Sequence, residues 1–308
     1  TIKDVVFHGK ADFTAAVQAT PHYEIIFRNV RFCGEADFTS ANLPRASFKE
    51  GIIFEANTSF KSARCGDMED ITFKGFADFS KSTLGAIRKC SFAKTAIFRD
   101  VEGGDLRITE SVFYGDANFN SLRVSILNLA SVEFKSDAFF NGSAISGDCY
   151  ISGVLFSHEC DFSNCEFNGP VFFSGNAFMS APSFYKATMY PNVTFHARQF
   201  KSFKSIEDAN AYTELRKLVP NQEGEFFAYE QRARANAMLR QKWGFSLTAL
   251  LSKAYDIASE YGQSIARPAI GLFTVLAVTW LVFACTPLSL HIYAASVDAK
   301  WTQDMNVA

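Results

Sequence analysis

Phenylalanine recurs at a regular spacing along the first two thirds of the chain. A nine-residue pattern, clearest at residues 30–38 (VRFCGEADF), places two phenylalanines six residues apart, with a small residue two positions before the second. The first phenylalanine of successive copies lies at positions 7, 32, 54, 73, 92, 113, 134 and 156, about 20 residues apart. Self-similarity at this period is typical of a solenoid, in which each repeat packs only against its neighbours.

A shorter period of five residues appears inside the better-preserved regions. Phe38, Leu43 and Phe48 follow one another at this spacing, and each has an alanine two positions before it. Five is neither the strand period of 2 nor the helix period of 3.6, and it indicates the side of a square coil. The connectors over residues 63–70 and 100–109 fit no such unit, so we expect bulges or short loops there.

These five-residue units resemble those of the pentapeptide-repeat proteins. The resemblance implies an all-β solenoid over residues 1–204, in the form of a right-handed quadrilateral β-helix whose coils have four five-residue sides. It also implies that the small residue and the second phenylalanine of each copy point inward. The implied inward ladder consists of Phe13, Phe38, Phe60, Phe79, Phe98, Phe119, Phe140 and Phe162.

The sequence becomes helical in pattern after residue 204. Apolar residues recur at helical spacing over residues 205–219 and 246–261, and Pro220 closes the first of these stretches. Residues 221–241 form a further predicted helix, with acidic residues early and arginines late, as the helix dipole favours. Because a solenoid leaves its end coil open, we expect residues 205–262 to act as a helical cap and juxtamembrane region.

An uncharged apolar stretch then runs from Pro268 through Trp280 to Thr286, and the apolar run resumes as far as residue 295. This length suffices for about 30 Å of hydrocarbon, so it predicts a transmembrane segment over residues 267–295, followed by a short tail over 296–308. A buried core helix is the alternative. Six lysines and arginines over residues 232–267 precede the stretch and one, Lys300, follows it. The positive-inside rule then predicts a single span in the inner membrane, with lipid as a partner and the solenoid in the cytoplasm.

The segment before this stretch, residues 250–268 (LLSKAYDIASEYGQSIARP), contains Tyr255, Tyr261, Gly262 and Arg267. It resembles the juxtamembrane part of bacterial pentapeptide-repeat proteins that end in a two-helix, potassium-channel-like membrane domain. The resemblance implies that residues 268–286 are the outer helix of a pore domain in a homo-oligomer. The pore helix, filter and second span of such a domain do not appear by residue 308. Either the sequence is cut short, or it is a one-span relative that does not conduct alone.

Charge and cysteine usage narrow the possible partners and compartments. The formal net charge is −2 and no long block of like charge occurs, so we expect no nucleic-acid partner. Seven cysteines without a paired framework, in a chain with no N-terminal signal pattern, favour a reducing compartment.

Two groups of polar residues are candidates for chemistry. His158, Cys160 and Cys165, with Cys149 nearby, are residue types that bind zinc. However, both Cys160 and Cys165 occupy the inward slot that alanine fills in other copies, so spacers are the simpler interpretation and we predict no metal and no cofactor. The second group precedes the second phenylalanine and forms either an outward carboxylate ladder or a solvated, corner-bonding face: Asp12, Asp37, Asp78, Asn118 and Asp161.

No phosphate-binding loop, nucleophile motif or paired-histidine helix occurs, so we predict that the chain is not an enzyme. The leading hypothesis is a membrane-tethered β-helical scaffold or sensor, coupled to a transmembrane domain of an ion-channel-type subunit or effector. Its signal would be an unknown protein or small molecule. The alternative is a soluble or tail-anchored interaction module without channel activity. A topoisomerase-binding DNA mimic is disfavoured, because such proteins present a strongly acidic surface.

Overall fold

A computed structural model describes residues 1–18, 23–190, 193, 195, 199–241 and 247–285. The chain divides into two compact units, residues 1–250 and 251–308. In the first unit, short strands stack in parallel register into a β-solenoid of about nine turns. This confirms the predicted solenoid and is consistent with the architecture that the pentapeptide-repeat resemblance implies.

The described strands of the solenoid form three sheets. The smallest pairs Asn42–Leu43 with Arg64–Cys65. The eight-stranded sheet consists of Ala11–Asp12, Ala36–Asp37, Thr58–Ser59, Ala77–Asp78, Ala96–Ile97, Ala117–Asn118, Ala138–Phe139 and Cys160–Asp161. The largest sheet has 19 strands: Ile2–Lys3, Val6–Phe7, Ile25–Arg28, Arg31–Phe32, Ala46–Phe54, Met68–Phe73, Ile87–Arg88, Ser91–Phe92, Glu102–Thr109, Val112–Phe113, Arg123–Ala130, Glu133–Phe134, Ala144–Ile145, Cys149–Ser152, Leu155–Phe156, Glu166–Phe167, Val171–Ser174, Ala177–Phe178 and Thr188–Met189.

The two phenylalanines of each copy form two columns of stacked rings inside the solenoid. In the second column, Phe98 lies 4.8 Å from Phe79 and 4.8 Å from Phe119 between ring centroids. This spacing matches the distance between neighbouring strands, so each coil adds one ring to each column. Between the columns the rings meet edge to face, as at Phe113 and Phe119, which is a favourable aromatic geometry. Phe13 is half-buried, and the following members of its column are fully enclosed: Phe38, Phe60, Phe79, Phe98, Phe119, Phe140 and Phe162.

Other inward slots hold aliphatic side chains, and they explain one expectation that was wrong. Residues 100–109 were expected to include a bulge or loop, yet Glu102–Thr109 is a strand paired with Arg123–Ala130. Leu106 and Ile108 are buried and fill inward slots without phenylalanine, which is why the aromatic spacing did not reveal them. The other connector does contain the expected irregularity, because the register shifts between Glu69 and Ile71.

In the part of the chain that the structure describes, four α-helices follow the solenoid. They are α1 (Ile206–Leu218), α2 (Glu223–Gln241), α3 (Leu247–Ser259) and α4 (Ala266–Cys285). Ser205 caps α1 in a capping box with Asp208, which explains why this helix begins where the sequence predicts. The helix predicted from residue 221 begins at Glu223 instead, since Pro220–Gln222 forms a 3₁₀ turn.

The predicted transmembrane segment over residues 267–295 is not supported. Its first part, including Pro268 and Trp280, lies in α4, whereas Thr286, the remainder to residue 295 and the tail over 296–308 lie outside the described residues. Within the described part of the chain, no helix has both the length and the apolar character required to cross a membrane.

Candidate functional site

The polar residues that precede the second phenylalanines bond to their own corners. The side chain of Asp37 accepts from the backbone N–H of Thr39 at 2.9 Å, and that of Asp78 accepts from Ser80 at 2.8 Å. Asp12, Asn118 and Asp161 each accept in the same way from the backbone N–H group two residues further along the chain. Such bonds are typical of aspartate and asparagine at turns. Of the two interpretations of these residues, corner formation accounts for them, and a separate carboxylate ladder is not needed.

The cysteines near His158 are part of the interior packing. Cys160 pairs in register with Ala138, and its thiol therefore occupies the slot that alanine fills one coil earlier. The Cys165 thiol donates to the carbonyl oxygen of Phe140 at 3.0 Å. Burial raises the pKa of Cys165 to about 12 and that of Cys160 well above its ordinary value, which disfavours the thiolate form that binds metals. Across the described residues, no three potential metal ligands are grouped together.

The C-terminal end of the solenoid is closed by α1, α2 and the 3₁₀ turn between them. The ring of Phe200, in the last coil, contacts Tyr212 of α1 at 5.7 Å and Phe226 of α2 at 5.7 Å between centroids. The backbone is covered as well, because Asn236 of α2 donates to the carbonyl oxygen of Phe203 at 2.7 Å. These contacts satisfy an edge that would otherwise be open to pairing with another chain.

Asp208 links α1 to the coils beneath it. One carboxylate oxygen, Oδ2, accepts from the Ser202 hydroxyl at 2.9 Å and from the backbone N–H groups of Lys204 and Ser205 at 2.7 and 3.1 Å. The other, Oδ1, accepts from the N–H of Ala181 at 3.3 Å. Because the aspartate is buried, these bonds replace the water that its charge would otherwise require.

A second buried carboxylate joins α1 to α2. Glu230 accepts from Arg216 of α1 at 3.0 Å and from Arg234 of its own helix at 3.0 Å, and only 7% of its side chain is exposed. Removing one partner of a buried pair leaves an uncompensated charge, so this cluster fixes the two cap helices against each other.

A groove with a volume of about 960 Å³ lies between α1 and the last coils. Its walls combine the ring of Tyr185, the guanidinium of Arg234 and several hydroxyls, including that of Ser183. The carboxylates that line it are Glu159, Asp161, Glu207, Asp208 and Glu214. The volume lies in the range of ligand-binding clefts. The sequence did not reveal this groove, since its two walls meet only when α1 docks.

The predicted juxtamembrane residues fall around the end of α3 and the start of α4. Tyr261 is buried and its hydroxyl shares a hydrogen bond of 2.8 Å with Ser252, whereas Tyr255 is exposed. Gly262 has a φ of +85°, which favours glycine at this turn. Arg267 donates to Glu260 and thereby spans the turn between the two helices.

Between Ile270 and Val282, the apolar side chains of α4 are exposed on every side of the helix. Ile270 is 63% exposed, Val275 62% and Leu276 55%, and these three residues point in different directions around the helix axis. The large apolar residues exposed on the described part of this helix are Ile270, Leu272, Phe273, Val275, Leu276, Val278, Trp280, Leu281 and Val282.

Comparisons with known proteins identify no relative: no protein-family model, no curated protein and no solved structure matches the chain.

Proposed function

We propose that the chain is a non-enzymatic interaction scaffold, held at a lipid membrane by α4. The observation that carries the proposal is the ring of exposed apolar side chains around this helix. A helix that is hydrophobic on all sides is normally buried in a large protein core or in a membrane. A globular partner covers one side of a helix, whereas lipid covers every side at once.

The energetic argument supports an apolar environment for α4. Nine of its apolar residues between Ile270 and Val282 expose more than half of their surface. Full burial of one such side chain contributes about 1.5–3 kcal/mol, so transferring this helix out of water would contribute on the order of 10 kcal/mol. That is comparable with the whole stability of a typical domain.

The scaffold part of the proposal rests on the solenoid and its cap. The groove between α1 and the last coils offers carboxylates, hydroxyls and the Tyr185 ring to a partner segment, and Asp208 and Glu230 hold its walls in place. The ion-channel hypothesis and the oligomeric state stay predictions.

Membrane fractionation of the full chain tests the proposal. We expect the protein to sediment with membranes and to resist extraction at pH 11. Replacing Val275 and Val278 of α4 by aspartate is expected to release it, because charge in hydrocarbon is costly. The matched control replaces Val6 and Val17, two exposed valines of the first coil, by aspartate. A wild-type protein that remains in the soluble fraction, or a control that is released equally, would contradict the proposal.

A further inference from the structure

We infer that α3 is a second lipid-contacting element, which lies in the plane of the membrane surface with its apolar side in the headgroup–acyl boundary. This inference rests on the proposed membrane attachment through α4. It adds a lipid-binding surface on a second helix. It also gives α3 an orientation parallel to the bilayer surface, which attachment through α4 alone does not require.

The apolar side of α3 is exposed. Leu247, Leu251 and Ile257 are 73%, 62% and 76% exposed, and Leu250 and Tyr255 are about half exposed. At 100° per residue these side chains fall within one stripe along the helix, together with Ala254 and Ala258. In a soluble protein such a stripe faces the core, so the orientation of α3 is the reverse of the usual one.

The opposite side of α3 is occupied by the chain's own residues. Ala249 and Ser259 are buried on this side. Ser252 bonds to the hydroxyl of Tyr261, and the Ser259 hydroxyl accepts from the N–H of Gly262 at 3.1 Å. The polar side is therefore bonded to the turn that follows the helix, and the apolar stripe carries none of these bonds.

The short connection to α4 determines what can cover the stripe. Only residues 260–265 separate the two helices, and six residues reach about 20 Å even when fully extended. With α4 in hydrocarbon, α3 is held within that distance of the bilayer surface. An exposed apolar helix face at this position meets lipid, and an interfacial helix buries its apolar side about 5–10 Å into the headgroup region.

The aromatic and charged residues near the turn fit the same placement. Tyr255 lies on the exposed side of α3, and tyrosine is enriched where headgroups meet hydrocarbon. Lys253 lies at the flank of the stripe, where its long side chain can reach the aqueous phase. No charged residue falls within the stripe itself.

The test places an environment-sensitive fluorophore on each side of α3 in the full chain. Leu251→Cys labels the stripe and Lys253→Cys labels its flank, and both positions are exposed. The background replaces Cys33, which is half-buried, and Cys285 by alanine; the buried thiols of the solenoid are shielded from the reagent. The labelled proteins are bound to phosphatidylcholine–phosphatidylglycerol vesicles with and without brominated acyl chains.

We expect a blue-shifted emission and several-fold stronger bromine quenching at position 251 than at position 253. Equal quenching at the two positions, or none at either position in vesicle-bound protein, would overturn the inference while leaving the attachment through α4 intact. Shielding of position 251 from an aqueous quencher before vesicles are added would also overturn it, because a protein surface would then cover the stripe. Protein that does not sediment with the vesicles would instead refute the proposed function.

Discussion

The side chain of Gln222 pairs with the backbone of Phe195 as the next strand of the solenoid would. The N–H of Phe195 donates to Oε1 of Gln222 at 2.6 Å, and Nε2 of Gln222 donates to the carbonyl oxygen of Phe195 at 2.6 Å. A single amide side chain thus ends the ladder of backbone hydrogen bonds that joins the preceding coils. The end of the solenoid is therefore closed by hydrogen bonds as well as by apolar contact.

We predict that Gln222→Met destabilises the protein by about 1–3 kcal/mol, because it leaves a buried donor and a buried acceptor without partners. The measurement is the free energy of unfolding from urea titration in detergent micelles. Gln222→Glu is the comparison. It keeps an acceptor for the Phe195 N–H but sets a carboxylate oxygen against the Phe195 carbonyl oxygen and against Glu225, which accepts from Nε2 of Gln222 at 2.9 Å. It should therefore also destabilise the protein at neutral pH. A methionine variant that unfolds at the wild-type urea concentration would show that Gln222 does not support the end coil.

The loss of stability on removing a phenylalanine ring should depend on the position of that ring in its column. Phe98 is fully buried and stacked on both faces, whereas Phe13 is half-buried and stacks on Phe38 at 4.7 Å. We predict that Phe98→Ala destabilises the protein by about 3–5 kcal/mol and that Phe13→Ala costs less than half as much. Urea unfolding of the two variants side by side provides the comparison, and equal losses would argue against a column whose interior is better packed than its end.

Close contact between neighbouring coils should make a side chain at Gly115 destabilising. A Cβ atom at Gly115 would lie 2.5 Å from the carbonyl carbon of Lys94, so the backbone of one coil would have to move. At Gly104 a Cβ atom would meet nothing within 4 Å. We predict that Gly115→Ala lowers the stability by about 1–3 kcal/mol, whereas Gly104→Ala changes it by less than about 0.5 kcal/mol. Thermal unfolding measures both, and identical melting temperatures would contradict the prediction.

The buried thiols should make the protein less stable in alkaline solution. Burial raises the pKa of Cys160 in the folded state, so between the unfolded pKa near 8.5 and the folded pKa the unfolded chain binds fewer protons. Stability is then fully present below about pH 8.5 and decreases by about 1.4 kcal/mol per pH unit above it for this thiol. Cys160→Ala places the residue of neighbouring coils in the same slot and should remove that part of the slope.

The check is the free energy of unfolding at pH 7, 9.5 and 10.5 under reducing conditions, for the wild type and the alanine variant. Cys33→Ala is the matched control, because this cysteine is only half-buried. A slope that is identical in wild type and Cys160→Ala would contradict a buried, protonated thiol at this position.

The sequence predicted the solenoid well because one residue type, phenylalanine, recurs at equivalent positions of its interior. Phe38 and Phe60 occur in equivalent positions of successive coils, so their spacing reports the coil length directly. Leu106 and Ile108 fill comparable slots without aromatic rings, and the strand that contains them was missed for that reason. Because a core accepts any apolar residue of suitable size, the spacing of one residue type reveals only some of the core positions.

The candidate surfaces were harder to predict, because they depend on how elements dock. The pairing of Gln222 with Phe195 involves one polar residue in a turn, and no periodic pattern marks it. The groove exists only where α1 meets the last coils. For α3, the spacing of Leu247 and Leu251 predicted an amphipathic helix correctly, but spacing alone does not tell which side is covered.

The regular stacking of one ring on the next also means that the length of the solenoid is set by its number of coils. Each coil advances the structure by about 4.8 Å, the separation of neighbouring strands, so the nine steps between Phe7 and Phe200 correspond to about 43 Å. Duplicating or deleting the sequence of one coil would change this reach by one increment and leave the cap unchanged. The distance at which the cap stands from the first coil is therefore a property that evolution can adjust in discrete units, independently of what the cap binds.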